Sequence, residues 1–262
     1  MRAQIVLNTW ESKALIAKGL ADHPMIELSL EEGTIAVGRG LTNAFVLKEL
    51  LAKTGQNDFK VDLDNYVAGI IDGTLWLSDG ASRTPEVVFK KGVASFQPIA
   101  EVVKEMGDGP DLIIKGGNAL GTDGIAGVLC AHPEGGTIGA VYGIAMARGI
   151  PIVVPIGCEK LVPHQLASLT MEVGGNRGVD YVTGIPVGLY PMTGAEVFTE
   201  VDAFQMLADV DVYQIGAGGV YDGAGSVIFE LFGSDEDMEE IIAVVEAVKG
   251  TEPLKTKLKP HD

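Results

Sequence analysis

The alternation of apolar and polar positions predicts a chain in which strands and helices follow one another. Short apolar runs at Thr34–Val37 and from Leu112 onward have the character of strands buried on both faces. Asn8 and Glu11 have the spacing of a capping box, which predicts a helix over about 10–21. Strands that alternate with helices favour a mainly parallel sheet with right-handed crossovers. We therefore expect an α/β fold, with a mainly parallel Rossmann-like sheet flanked by helices.

Residues 65–92 have a different pattern, which predicts a β excursion from that sheet. Two apolar runs flank Asp72-Gly73, a dipeptide typical of a tight hairpin turn. The segment Glu86–Lys90 predicts a third strand in the same excursion.

The strand–helix pattern restarts after a Gly-rich loop at 174–178. The segments that follow are a strand at Ile185–Tyr190, a helix at 195–208, strands at 211–216 and 226–232, and a helix at 235–249. This βαββα order is typical of a small ferredoxin-like α/β module. The sequence therefore predicts a domain over 1–180, a second module over 184–250 and a frayed tail over 251–262.

Composition narrows the function classes. The net charge of −17 over 262 residues repels phosphate backbones and anionic lipids, so we expect neither nucleic-acid nor membrane binding. No apolar run approaches the roughly 18 residues of a membrane span, and the first residues turn polar too early for a signal peptide. The cysteines and histidines lack metal-ligand spacing, so we expect a cytoplasmic protein with no metal and no cofactor. Cys130 and His132 are close along the chain, but no third group orients them as a nucleophile.

The first candidate site follows the strand at 34–37. Gly38, Arg39 and Gly40 form the strand exit, and Thr42 and Asn43 can cap the helix that follows. In α/β sheets, such an exit onto a helix N-terminus is where ligands bind. The guanidinium of Arg39 would suit a phosphate or a carboxylate. We expect an anion-binding loop here.

Two further Gly-rich segments follow the same logic. Lys115-Gly116-Gly117 lies at the end of the strand at 112, where the backbone can approach a ligand and a cation can assist. Gly135-Gly136-Thr137 leads into a helix with free amide groups. Because parallel strands end at one edge of a sheet, we expect all three loops to form one pocket. A lone Arg177 beside Asn176 in the loop at 174–178 could also close over an anion.

Two of these segments together resemble the NagB/RpiA/CoA-transferase superfamily over roughly residues 35–156. This superfamily includes ribose-5-phosphate isomerase, the sensor domains of DeoR-type repressors and the initiation-factor-2B-like sugar isomerases. Ile35-Ala-Val-Gly-Arg-Gly-Leu-Thr-Asn-Ala resembles its strand–phosphate loop–helix unit. Lys115-Gly-Gly-Asn-Ala-Leu-Gly-Thr-Asp-Gly, with the Gly-Thr helix from Gly136 and the Ile-Pro strand at 150, is similar to the pattern of the 2B-like isomerases. The resemblance implies a phosphate-binding α/β core.

The chain departs from that pattern at Asn118, where those isomerases keep an Asp. An amide can orient a hydroxyl or bind a carbonyl, but it cannot accept a proton as a general base. Asn118 and Asp123 are our candidate catalytic residues, and Asp72 and Asp79 are other carboxylates that could replace the missing acid.

Three functions remain open at this stage. The first is an enzyme or enzyme-like protein that binds a small phosphorylated or carboxylated metabolite (a sugar phosphate, a nucleotide or a CoA ester), with isomerase- or transferase-like chemistry. The second is a metabolite sensor that keeps the binding core without the catalytic Asp. The third is an oligomerising protein whose C-terminal module builds the assembly, and we expect a homo-oligomer in any case.

Overall fold

A computed structural model describes residues 1–105, 109–174 and 178–257 of the chain. The strands are β1 (Arg2–Leu7), β2 (Thr34–Val37), β3 (Gly69–Ile71), β4 (Leu75–Leu77), β5 (Val87–Lys90), β6 (Val93–Phe96), β7 (Leu112–Ile114), β8 (Ala119–Leu120), β9 (Ala126–Cys130), β10 (Ile152–Pro155), β11 (Gly188–Pro191), β12 (Glu196–Phe198), β13 (Val210–Gly218) and β14 (Ser226–Gly233). The helices are α1 (Thr9–Ala21), α2 (Pro24–Glu32), α3 (Leu41–Lys53), α4 (Ile99–Val102), α5 (Gly136–Arg148), α6 (Leu166–Leu169), α7 (Glu200–Leu207) and α8 (Asp235–Val248).

The main sheet has six strands in the order β12-β10-β7-β2-β5-β6. The pairs β12–β10, β10–β7 and β7–β2 are parallel, whereas β2–β5 and β5–β6 are antiparallel. The α/β class expected from the sequence is confirmed, and the sheet is mixed. β6 is antiparallel to β5 because the two strands are joined by a tight turn in which Lys91 and Gly92 have positive φ angles.

The β excursion predicted at 65–92 divides between two sheets. The predicted hairpin with the Asp72-Gly73 turn is confirmed as β3–β4, which forms a two-stranded sheet of its own. The strand predicted from Glu86 onward is β5, but it pairs with β2 in the main sheet. The hairpin therefore stands apart from the main sheet, at the edge where β2 ends.

Side chains of the main sheet enter two apolar cores, one on each face. Val37 belongs to a core with Leu15 of α1 and Phe204 of α7, and its neighbour Ala36 belongs to a core with Val141 of α5. The alternation follows from the two-residue period of a strand. Because both faces are covered by helices, ligands reach this sheet only at the ends of its strands.

The strand pairings cross the predicted boundary at 180–184. β12, from the predicted second module, is parallel to β10 in the main sheet. β1, from the predicted first domain, pairs with β14 in a three-stranded antiparallel sheet of order β1-β14-β13. A central strand needs hydrogen-bonding partners on both edges, and β1 provides the second partner of β14. The elements of the predicted βαββα order are present, with one additional strand, β12, at the start of the predicted helix 195–208. Strands of the two predicted units, however, pair with each other.

The helix predicted at 195–208 is a strand followed by a helix. Thr199 and Asp202 form a capping box, in which the Thr199 backbone N–H donates to Asp202 at 2.7 Å. This cap starts α7 at Glu200 and leaves Glu196–Phe198 free to extend the main sheet. Helix α4 is a single turn, Ile99–Val102.

The C-terminal tail, which the sequence predicts to be frayed, is hydrogen-bonded up to Lys257. The backbone N–H of Lys255 donates to Asp64 Oδ1 at 2.9 Å, and that of Lys257 donates to Asn65 Oδ1 at 3.2 Å. Thr256 donates its hydroxyl to the carbonyl of Asp64 at 2.8 Å. Residues 258–262 lie outside the described part of the chain.

Helix α1 packs against α7 so closely that the contact depends on glycine. A methyl group on Gly19 would lie 2.6 Å from the Cα of Ala203. We expect Gly19→Ala to lower the free energy of unfolding by about 1–3 kcal/mol, the usual cost of overpacking. The measurement is urea denaturation followed by circular dichroism.

Gly143→Ala in α5 is the matched control, because nothing lies within 4 Å of a methyl group there. It should raise stability by about 0.5–1 kcal/mol through helix propensity alone. If Gly19→Ala were also stabilising, α1 and α7 would not be in contact in solution.

Candidate anion-binding site

The first two predicted loops lie side by side because β2 and β7 are adjacent and parallel. Val37 and Ile114, the last residues of these strands, are register partners. The N–H of Gly38 donates to the carbonyl of Ile114 at 2.8 Å. Gly38–Gly40 and Lys115–Gly117 therefore leave the sheet together, as the sequence predicts.

Two helices begin at this edge, and neither has a side-chain cap. Gly40 is the N-cap of α3 and Gly135 is the N-cap of α5, and no side chain accepts a hydrogen bond there. The sequence predicted Thr42 or Asn43 as the cap of α3, but the helix starts before them, at Leu41. Uncapped helix N-termini present free N–H groups and a partial positive charge. Both termini line one cavity of about 760 Å³.

This cavity collects positive charge. Five cationic side chains line it: Lys13, Arg39, Arg83, Lys115 and Lys160. Among the residues that the structure describes, no Asp or Glu is part of the lining. The chain as a whole has 36 acidic and 19 basic residues, so the local composition is opposite to the global one. A surface selected by chance from this chain would be acidic.

Most of the predicted ligand-binding residues line the cavity. They are Arg39, Gly40, Thr42, Lys115, Gly116, Gly117, Gly135, Gly136 and Thr137. Asn118, predicted as catalytic, also lines it. Its side-chain oxygen accepts the N–H of Leu129 at 3.1 Å, which fixes the orientation of the amide.

Three predicted residues do not line the cavity: Gly38, Asn43 and Asp123. Asn43 is fully buried, and its Nδ2 donates to the carbonyl of Gly38 at 2.7 Å and to that of Ile114 at 3.4 Å. It therefore holds the two strand exits together. Gly38 makes room for a lysine, since a methyl group there would lie 3.0 Å from Cδ of Lys115.

Asp123, the other predicted catalytic residue, has a structural position. Its carboxylate accepts the N–H of Ala167 at 3.1 Å and that of Ile125 at 3.4 Å, at the start of α6. Desolvation opposes the shift, but the backbone N–H groups, with that of Ala167 first, lower the pKa of Asp123 below its ordinary value. A carboxylate held in this way stabilises a turn and lies away from the cavity.

Lys115 is the central cation of the site. Its Nζ donates to the carbonyl of Gly116 at 3.0 Å. Burial lowers the pKa of Lys115 to about 8, with Lys160 acting in the same direction and Glu86 and Cys130 against it. The Lys115 ammonium therefore loses its proton at a lower pH than an ordinary exposed lysine, although the charged form still dominates below pH 8.

Glu86 is a buried carboxylate behind the lining that the sequence reasoning missed as a site residue. Its Oε1 lies 3.4 Å from Nη1 of Arg39 and accepts the hydroxyl of Thr137 at 3.3 Å. Its Oε2 accepts the N–H of Ile99 at 2.9 Å. Glu86 thus connects the first predicted loop to the third. The signal that could have identified it is a carboxylate at the start of an apolar strand.

Lys13 is a second residue that the sequence reasoning missed. It is buried on α1, donates to the carbonyl of Thr9 at 2.8 Å and lies 3.6 Å from Glu159. Burial lowers the pKa of Lys13 to about 8, against the opposing attraction of Glu159. Its spacing from Ala17 and Leu20, at four and seven residues, places it on the buried face of the helix.

The opposite wall of the cavity is apolar. The β3–β4 hairpin contributes Ile70, Leu75 and Leu77, and Ile185 and Val187 continue this wall. Leu75 is held to the segment before β11, since its N–H donates to Thr183 and its carbonyl accepts the N–H of Ile185 at 2.9 Å. The cavity therefore combines a cationic side with an apolar one.

Cys130 and His132 both line the cavity, but they do not form a nucleophilic pair. The Sγ of Cys130 contacts the carbonyl of Gly135 at 3.5 Å, and Nδ1 of His132 accepts the N–H of Glu134 at 3.2 Å. Burial raises the pKa of Cys130, so the thiol is protonated at neutral pH. Asn176 and Arg177, the other predicted anion contacts, lie outside the described residues.

Comparisons with known protein sequences found no match, so the function has to be inferred from the geometry of the site. No protein-family model matches the chain, and no curated protein sequence matches it either. Within the described ranges, no helix has the length and apolar character needed to span a membrane. The same part of the chain contains no group of three or more His, Cys, Asp or Glu that could hold a metal ion.

The lowered pKa of Lys115 makes stability depend on pH. The folded state releases this proton near pH 8, whereas the unfolded state keeps it up to the ordinary value of 10.5. Between these values the unfolded state binds more protons, so the contribution of Lys115 to the free energy of unfolding rises with pH. Lys115→Met should therefore be more stable than the wild type at pH 7, and this difference should shrink as the pH approaches 10. Chemical denaturation across this range is the measurement.

Lys48→Met is the control, because Lys48 is exposed on α3 and away from the cavity. Its stability relative to the wild type should not change with pH. A constant difference between wild type and Lys115→Met would show that this ammonium is fully hydrated.

Proposed function

We propose that the protein binds a small phosphorylated or carboxylated metabolite in the cavity described above. The observation that supports this most is the lining: five cations and two uncapped helix N-termini, without a carboxylate among the described lining residues, in a chain of net charge −17. Desolvated cations near one another repel, and Glu86 and Glu159 behind the lining supply two negative charges against five cations, so further negative charge would stabilise the arrangement. An anionic ligand would supply that charge.

The magnitudes favour local contacts over the global field. At an effective dielectric of 20, one cation about 4 Å from an anion contributes roughly 4 kcal/mol of attraction before its own desolvation. The excess negative charge on the surface is screened over a Debye length of about 8 Å at physiological ionic strength. The anion therefore binds through the cavity lining, although the protein as a whole repels it.

The apolar wall indicates the rest of the ligand. A volume of about 760 Å³ is within the range of cavities that enclose metabolite- or drug-sized molecules. Ile70, Leu75 and Ile185 would cover an apolar or aromatic part, while the phosphate or carboxylate faces the helix N-termini. A sugar phosphate, a nucleotide and a CoA ester all have this division, and the last two use the apolar wall more fully.

We further propose membership of the NagB/RpiA/CoA-transferase superfamily, with isomerase- or transferase-like chemistry in the cytoplasm. The parallel set β12-β10-β7-β2 supports a Rossmann-like core, because the two Gly-rich loops follow neighbouring parallel strands as they would in that superfamily. The free thiols of Cys130 and Cys158 agree with a reducing compartment.

A metabolite sensor is the second candidate, and one observation favours it. The described cavity lining contains Asn118 where the isomerases keep an Asp, and it contains no carboxylate that could accept a proton. Incubation of the protein with sugar phosphates, nucleotides and CoA esters, followed by mass spectrometry, separates the two. A compound that binds and is recovered unchanged indicates a sensor, whereas a new product indicates an enzyme.

A homo-oligomer is also part of the proposal. β13 is an edge strand of nine residues. Two of its side chains are well exposed, Tyr213 at 57% and Ile215 at 50%. An exposed apolar edge strand is a template for pairing with another chain. If the assembly rather than the cavity is the function, the C-terminal module would act through this edge.

Lys115→Ala should weaken anion binding and leave the fold intact. The loss of a charge-assisted contact costs about 1–3 kcal/mol, which raises the dissociation constant roughly 5- to 150-fold. Titration calorimetry with inorganic pyrophosphate is the measurement.

Lys48→Ala is the matched control and should bind as the wild type does. The affinity of the wild type should also fall as the pH rises through 8, because Lys115 and Lys13 lose their protons there. Equal affinity of wild type and Lys115→Ala would contradict the assignment of this strand exit as the anion site.

A further inference from the structure

Lys115 differs from Lys13, Arg39 and Lys160 in its partners. Arg39 lies 3.4 Å from Glu86, and Lys13 and Lys160 lie 3.6 Å and 4.0 Å from Glu159. Among the described residues, Lys115 forms no ion pair, and its hydrogen bond goes to the neutral carbonyl of Gly116. Lys13, Arg39 and Lys160 each lie beside a carboxylate, whereas the amine of Lys115 does not.

The stem of Lys115 is held in place by its surroundings. Cδ passes so close to Gly38 that a methyl group there would lie at 3.0 Å. The residue follows the buried strand β7, whose neighbours β2 and β10 fix it on both sides. The amine therefore projects into the cavity from a rigid element, which is how reactive groups are positioned.

We propose that Lys115 is a nucleophile that forms an imine with the carbonyl group of an anionic metabolite. This inference rests on the proposed function, and it narrows the ligand to a phosphorylated aldehyde or ketone, or a 2-oxo acid. The anionic group faces the N-terminus of α3, the carbonyl carbon faces Nζ, and the carbonyl oxygen faces the N-terminus of α5.

The reaction balances without any other reagent. The neutral amine of Lys115 attacks the carbonyl carbon and forms a C–N bond, while the carbonyl oxygen takes a proton and becomes the hydroxyl of a carbinolamine. That hydroxyl takes a proton from the solvent and leaves as water while the nitrogen lone pair forms the C=N bond, and the nitrogen then returns its remaining proton to the solvent to give the imine. No oxidant or reductant takes part.

Three features of the cavity favour this step. A desolvated lysine next to other cations has the depressed pKa that imine-forming lysines require, and burial gives Lys115 a value of about 8. The free N–H groups at Gly136 and Thr137 can stabilise the oxygen as negative charge develops on it. The apolar wall from the β3–β4 hairpin limits access of water, which would hydrolyse the imine.

Reductive trapping tests the proposal on the full-length chain. The protein is incubated with glycolaldehyde phosphate in one arm and pyruvate in the other, each with sodium cyanoborohydride, and labelled peptides are mapped by mass spectrometry. We expect labelling of Lys115 at least tenfold above that of Lys160, the partly exposed lysine of the same cavity. The preferred arm identifies the anionic group. Labelling spread evenly over the lysines in both arms would overturn the proposal.

Two variants and a pH series complete the design. Lys115→Arg keeps the positive charge but cannot form the imine, so its labelling at this site should vanish while pyrophosphate still binds. Lys48→Arg, on the exposed side of α3, should be labelled at Lys115 as the wild type is. The yield for the wild type should rise between pH 7 and 9, whereas anion affinity falls over the same range.

The same samples separate this proposal from the more general one. If pyrophosphate raises the melting temperature of the protein but no label reaches Lys115, the imine is excluded and anion binding stands. If label reaches Lys115 but pyrophosphate neither stabilises the protein nor reduces the labelling, anion binding at this site is excluded and the imine proposal, which depends on it, also fails.

Discussion

The parallel pairing of β2 with β7 is the constraint on which the site depends. Since the two strands end in register, at Val37 and Ile114, their exits must leave the sheet at the same level. The buried amide of Asn43 strengthens this arrangement through its bonds to both exits. A shift of register by one residue would turn the side chains of β7 to the opposite faces and would move Lys115 away from the N-terminus of α3.

The charges around the cavity form two layers. The inner layer is cationic, and the carboxylates of Glu86 and Glu159 lie behind it, next to Arg39 and Lys13. This order holds the cations in place without placing negative charge where an anion would bind. A chain with an excess of 17 negative charges can bind an anion in such a cavity only if its own acidic side chains do not line it, and this arrangement meets that condition.

Local sequence patterns predicted the elements well and their assembly less well. The buried strands at 34–37 and 112–114, the hairpin at Asp72-Gly73 and the last helix all follow from hydrophobic period and turn chemistry. The pairing of β1 with β14 does not, because a strand pattern contains no information on a partner more than 200 residues away. For the same reason, the sequence predicts a boundary at 180–184 although strands on its two sides pair with each other.

The site shows the same division between local and distant information. Arg39, Lys115 and the glycines could be predicted because they are adjacent to strand ends in the sequence. Lys13 reaches the cavity through the packing of α1, and Glu86 lies behind the lining through the pairing of β5, so their roles became visible only with the fold. Asp123 was chosen for its charge and proximity along the chain, but its carboxylate is occupied by the backbone at the start of α6.

The pairing of β1 with β14 also has a kinetic consequence. β1 ends at Leu7 and β14 begins at Ser226, so the sheet they share closes only after almost the whole chain between them has been synthesised. Contacts of such long sequence separation slow folding, because the loop-closure entropy is lost before the contact forms. Until then, Ile5 and Leu7, which are buried in the finished protein, remain exposed on the nascent chain. Burial of this segment is therefore tied to completion of the C-terminal strands.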